Sequence, residues 1–68
     1  MRFEIERNAT ERIIIEDSEF KGHQLVHLRI HFLAEEDKWL PTKKGVSFRL
    51  DQLDEVIGAL QKIKAGLK

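Results

Sequence analysis

The sequence contains no cysteine and no tyrosine, only one proline and one tryptophan, and no net charge, with twelve Lys and Arg set against twelve Asp and Glu. Without cysteine there can be no disulfide, and such a composition is compatible with a reducing, cytosolic setting. A formal charge of zero gives no strong long-range pull on a polyanion, so any nucleic-acid site must be a local patch. No stretch approaches the ~18 consecutive apolar residues needed to cross a bilayer. The opening Met1-Arg2-Phe3-Glu4-Ile5 also lacks the charged-then-apolar layout of a secretory signal. These features lead us to expect a cytosolic protein. At 68 residues the chain is expected to form a single domain over residues 1–68. Folding alone would remove only about 60% of its unfolded surface from water. Domains this small gain stability from disulfides, metals or association. With the first absent and the second argued against below, a homodimer is expected. What is present, 41% hydrophobic and 35% charged residues, describes a folded chain.

From Arg2 to Arg7 apolar Phe3 and Ile5 alternate with Glu4 and Glu6, the period of a half-buried strand. Asn8 to Glu11 reads as a loop, and Ile13, Ile14 and Ile15 as a second strand with burial on both faces. Asp17 to Gly22 is expected to end that strand and turn the chain, with Gly22 free to take a positive φ. In the return arm, Leu25 to Leu33, the residues Val26, Leu28, Ile30 and Phe32 face one way while His27, Arg29 and His31 face the other. Ala34 to Lys38 forms a charged loop, Pro41 excludes the middle of a sheet, and Gly45 to Phe48 supplies a short last strand. From Leu50 onward the period is helical, with Leu53, Val56, Ile57, Leu60, Ile63 and Leu67 on one side. Asp51 with Asp54 resembles an N-terminal cap, and Lys62, Lys64 and Lys68 suit the negative end of the helix dipole. Gly58 costs about 1 kcal/mol inside a helix, which close approach by a partner helix would explain. The expected fold is α+β: a four-stranded antiparallel sheet followed by one C-terminal amphipathic helix.

His23, His27 and His31 recur every four residues, the spacing of metal ligands on a helix. Their neighbours alternate by two, so they lie on a strand, where residues four apart are separated by roughly 13 Å. A metal held by bonds of ~2.0–2.1 Å to nitrogen cannot bridge that distance. No cofactor or metal is therefore expected. Ser18 and Ser47 carry no nucleophile motif, and Gly22, Gly45, Gly58 and Gly66 are too scattered for a phosphate-cradling loop. The chain is not expected to be an enzyme. On the exposed sheet face Arg29 stands with His27 and His31, Lys21 lies at the hairpin turn, and Lys43 and Lys44 precede the last strand. A basic track with aromatic platforms suits single-stranded nucleic acid, each stacked base contributing ~1–3 kcal/mol. Phe20, Phe32 and Trp39 are the candidate platforms. Phe20, beside a turn, is poorly placed for a core, whereas Phe32 shares the parity of the core residues. A dimeric protein-interaction adaptor without nucleic-acid binding stays open on this pattern.

Phe20-Lys21-Gly22, then Leu25-Val26-His27-Leu28-Arg29, then Pro41-Thr42-Lys43-Lys44-Gly45-Val46-Ser47 ahead of an amphipathic helix, resembles the transcriptional coactivator family called positive cofactor four. The resemblance implies a homodimer joined largely through its helices, here Leu53, Val56, Ile57, Leu60 and Ile63. It further implies curved sheets whose grooves bind single-stranded or melted DNA, possible roles in transcription, replication or repair, and protein partners from those processes. RNA is a second possible ligand. The family's binding positions fall on Phe20, Arg29 and Lys44, with Lys43 in the adjoining basic position. The family's tryptophan at the end of the long strand falls on Phe32, which a strand bulge would turn outward. Lys21 and Trp39 complete the expected nucleic-acid-binding set. The basic residues that precede the turn in better-known members are replaced by Glu16, Asp17, Ser18 and Glu19, and the first connection, Asn8 to Arg12, is longer. The Ser/Lys-rich regulatory tail of eukaryotic members is not expected, and the resemblance implies a cytoplasmic, nucleoid-associated protein if the source is microbial and a nuclear one if it is eukaryotic. A compact microbial or phage-like member with weaker or more salt-sensitive binding is expected.

Overall fold

A computed structural model describes residues 1–67 and shows four strands followed by one helix. The strands are β1 (Arg2–Asn8), β2 (Glu11–Phe20), β3 (His23–Leu33) and β4 (Trp39–Arg49), and the helix is α1 (Leu50–Gly66). They form an antiparallel meander in the order β1-β2-β3-β4. Lys68 of the expected basic helix terminus lies outside the described residues.

Two tight turns make the meander longer than its sequence pattern suggests. Between β1 and β2 the connection is only Ala9 and Thr10, not the longer Asn8 to Arg12 connection expected, because Glu11 and Arg12 pair with β3. Asn8 sets it: its Oδ1 accepts from the Thr10 amide at 3.0 Å, and its Nδ2 donates to Glu11 at 2.8 Å. That local bonding is the usual reason asparagine initiates turns. Asp17 to Phe20 do not end β2 as expected, because all four pair with β3, from Asp17 opposite Val26 to Phe20 opposite His23. The turn is Lys21 and Gly22 alone, with φ of 52° and 80°. Two successive positive φ values make a type I′ reversal, whose twist matches that of the strands.

β4 is also longer than expected. Pro41 lies within it, opposite His31. This is tolerated because β4 is an edge strand, where one side of the backbone needs no partner. The register slips once: Arg29 pairs with Gly45 and His31 with Pro41, so Thr42, Lys43 and Lys44 oppose Ile30 alone. The bulge is therefore in β4. The β2–β3 ladder runs unbroken from Glu11 opposite Phe32 to the hairpin turn.

Strand alternation defines two faces. One carries Phe3, Ile5, Ile13, Ile15, Val26, Leu28, Ile30 and Phe32. The other, the polar face, carries Arg12, Glu16, Ser18, Phe20, His27, Arg29 and His31, with Ile14 among them. Burial on both sides of the isoleucine run is uneven, since Ile14 alone reaches the core at 2% exposure while Ile13 and Ile15 stay half-buried. In register it lies between Glu4 and Arg29.

Asp51 is not the helix cap. Arg49 occupies that position, and Gln52 reaches back so that its Oε1 accepts from the Arg49 amide at 3.3 Å. Asp51 sits in the first turn and Lys64 in the last, both favourable to the helix dipole. Helix α1 rests against β4 and β3 but has no buried residue. Leu53 and Val56 are half-buried; Ile57, Leu60 and Ile63 remain exposed. Among the described residues, apart from its own helix backbone and chain neighbours, nothing comes within 4 Å of where a Gly58 Cβ would stand. Among the described residues no helix is long and apolar enough to cross a membrane.

Candidate nucleic-acid interface

The polar face is organised from its hairpin end by Phe20. As the last residue of β2 it has the parity of Ser18 and Glu16, and its ring is 61% exposed. The turn then places Lys21 Nζ 5.4 Å from the ring centroid, joining a flat apolar platform to a cation. Holding a lysine in the left-handed region costs of order 1 kcal/mol.

Midway along β3, Arg29 crosses to β4. Its Nη1 donates to the Thr42 carbonyl at 2.9 Å. It can do so because its partner in register is glycine: a Cβ on Gly45 would lie 2.9 Å from the Leu28 carbonyl oxygen and 3.0 Å from Arg29 Cζ. The bulge that bears the lysines is held by Thr42. Its Oγ1 donates to the Ile30 carbonyl at 2.7 Å and accepts from the Lys44 amide at 3.1 Å. A side chain thus replaces the ladder bond that the slipped register removes. Lys43 and Lys44 are exposed in the bulge that immediately precedes Gly45, the register partner of Arg29, so three basic residues are neighbours along this part of the sheet.

His27 is bridged on both sides. Ser18 Oγ lies 2.6 Å from its Nε2 and Ser47 Oγ 2.6 Å from its Nδ1, a link across β2, β3 and β4. Neither serine stood out in the sequence, because only strand pairing brings them to one ring. His31, on the same face, is 8% exposed and its Nδ1 has no hydrogen-bond partner among the described residues. Burial, reinforced by the charge of Arg2 and only partly opposed by Glu16, holds its pKa below the ordinary value of 6.5. The unfolded chain therefore takes up this proton more readily, and stability falls as pH drops through the unfolded pKa towards the folded one. Thermal unfolding should accordingly shift to lower temperature between pH 7.5 and 5.5, and His31→Asn should remove part of that shift. An identical pH dependence in the variant would assign the effect to other groups.

Trp39 pairs with Leu33 at the far end of β3. The Arg12 guanidinium lies 4.0 Å from its ring centroid. Phe32 is not with them. Because β3 carries no bulge, Phe32 keeps the parity of Leu28 and Ile30 and stands on the opposite face, opposite Leu40 in register and 39% exposed. The expected outward turn fails because the extra residues were inserted into β4. The structure thus brings Phe20, Lys21, Arg29, Lys43, Lys44 and Trp39 to one sheet surface or its bordering bulge and separates Phe32 from them. Arg12 is the residue that sequence reasoning missed. Its signal was its parity with Phe20 on β2.

The histidines lie along one strand, and among the described residues no group of three potential ligands could hold a metal ion.

Among curated proteins none matches this sequence. Solved structures do. A PC4 homologue of Burkholderia pseudomallei superposes with a TM-score of 0.83 at 27% identity, over 91% of this chain and 84% of its own. A second crystal form of the same protein gives 0.84 at 26% identity, over 94% and 96%. A bacteriophage T5 homologue of the eukaryotic transcription coactivator PC4, implicated in recombination-dependent DNA replication, gives 0.78 at 26% identity, over 97% of this chain and 77% of its own. The family model described as Transcriptional Coactivator p15 (PC4) matches residues 7–59, from the end of β1 into α1. The chain belongs to the PC4 transcriptional coactivator family.

Proposed function

We propose that this chain acts as a homodimer that binds single-stranded DNA along its polar face, in transcription or in replication and repair, without enzymatic activity. The observation that carries this reading is the convergence of an exposed ring and cations on one sheet surface: Phe20 with Lys21 at the hairpin, and Arg29 reaching over Gly45 to the bulge of Lys43 and Lys44. The ring stacks unpaired bases and the cations meet phosphates, a combination tolerant of sequence. The phage relative's implication in DNA replication agrees with it. Helix α1 supports the dimer, because Ile57, Leu60 and Ile63 on its apolar side stay exposed among the described residues.

Labelled oligothymidine at low salt should give saturable binding, stronger than duplex DNA of equal length, by a species of dimer mass. Lys44→Ala should weaken binding to all sequences about equally and flatten the slope of log affinity against log salt by roughly 0.7, as expected when one phosphate is no longer neutralised. Phe20→Ala should weaken binding by ~1–3 kcal/mol through the absence of stacking, with little change in stability because the ring is exposed. Absence of saturable binding would leave the dimeric adaptor reading, for which the apolar groove bordered by Phe3, Ile15, Val26 and Leu50 is the suited surface.

A further inference from the structure

The far end of the polar face holds an arrangement that the hairpin end lacks. Arg12 and Trp39 belong to the two strands flanking β3, and their side chains meet, with the guanidinium 4.0 Å from the ring centroid. Arg12 is also held from the third side, since its Nη1 donates to Glu4 Oε1 on β1 at 3.3 Å. Glu6 lies opposite Arg12 in register, so acidic groups surround it on the β1 side. The arginine is nevertheless accessible, with 38% of its side chain exposed, and Trp39 is half-buried. A planar cation stacked on an indole offers a flat surface and a charge together, which unpaired bases and their phosphates both use. From the partner of Phe20, His23, to the partner of Trp39, Leu33, β3 spans roughly 33 Å. Phe20 and Trp39 therefore cannot serve one base.

Resting on the single-strand reading above, we infer that the Arg12–Trp39 stack is a second base-stacking site, in which an unpaired base joins the column and its phosphate takes the Arg12 charge that Glu4 holds in the free protein. Glu4 is thus a resident competitor of the ligand. The site tethers the strand at the end opposite the hairpin, with Arg29 and the lysine bulge between the two anchors.

Trp39 is the only tryptophan, so its emission reports this site alone. Oligothymidine carrying a fluorophore is titrated with the full chain while its anisotropy and the tryptophan emission are followed together. Emission should change in step with anisotropy, and Trp39→Ala should weaken binding roughly 5- to 160-fold, the range for removing one stacked base. Arg12→Ala should weaken it as well. Glu4→Gln should tighten binding roughly two- to fivefold at low salt, an advantage that disappears at high salt, whereas Glu55→Gln, the same charge change on the helix, should leave affinity unaltered. Saturating anisotropy with unchanged tryptophan emission, or no tightening in Glu4→Gln, would overturn this inference alone. Absence of any anisotropy change would overturn the single-strand reading with it.

Discussion

Ile14→Ala should destabilise the fold by about 2–5 kcal/mol, the range for emptying a well-packed isoleucine site. A domain of this size has only ~3–5 kcal/mol from its core, so the variant should be largely unfolded in urea concentrations that leave the parent native. The magnitude follows from position. Ile14 is the only fully buried large side chain among the described residues, enclosed in the middle strand pair between the rows of β1 and β3. Ile13 and Ile15, half-buried on the other face, should cost less when truncated. Urea unfolding of the three variants at one fixed protein concentration tests the ordering, since association would itself shift the midpoint. Equal losses at all three positions would show that the two faces share the core evenly.

Gly45→Ala should disturb both folding and binding. The new methyl would lie 2.9 Å from the Leu28 carbonyl oxygen, a backbone atom that cannot swing aside, and 3.1 Å from Arg29 Cβ. Relieving that overlap requires β3 and β4 to part or Arg29 to leave the Thr42 carbonyl. Overpacking of this kind costs about 1–3 kcal/mol. Because Arg29 and the lysine bulge share this point, affinity for oligothymidine should fall even at temperatures where the variant is fully folded. A variant that melts and binds like the parent would mean that the strands have slack at this crossing.

How much of this was legible in the sequence differs by element. The alternation from Leu25 to Leu33 identified β3 because one face is apolar and the other polar, and the helix announced itself through the three- and four-residue spacing from Leu50. The second half of β2 was missed. Glu16 to Glu19 have poor strand propensity and are extended because β3 supplies their hydrogen bonds. The last strand is expected only over Gly45 to Phe48, with Pro41 outside the sheet, because the edge position that admits a proline is a property of the whole topology. The same limit applies to Phe32: which strand takes the extra residues depends on pairing, and Thr42 becomes a bulge clasp only once Ile30 is its neighbour. Phe20, Arg29, Lys43 and Lys44 could be named in advance because a turn, an alternating strand and a glycine fixed their places locally. For Arg12 parity gives only the face; its partners Trp39 and Glu4, 27 residues ahead and 8 behind in the chain, are set by strand pairing.

The bulge in β4 has a bearing on the protein's behaviour at high concentration. An outer strand with regular, unpaired amides and carbonyls invites a strand from another molecule to extend the sheet. Here that edge is broken by Pro41, bent by the inserted residues and studded with Lys43 and Lys44, so an incoming strand would find neither a continuous ladder nor a neutral surface. The feature that gathers positive charge thereby also guards the β4 margin of the sheet against an incoming strand.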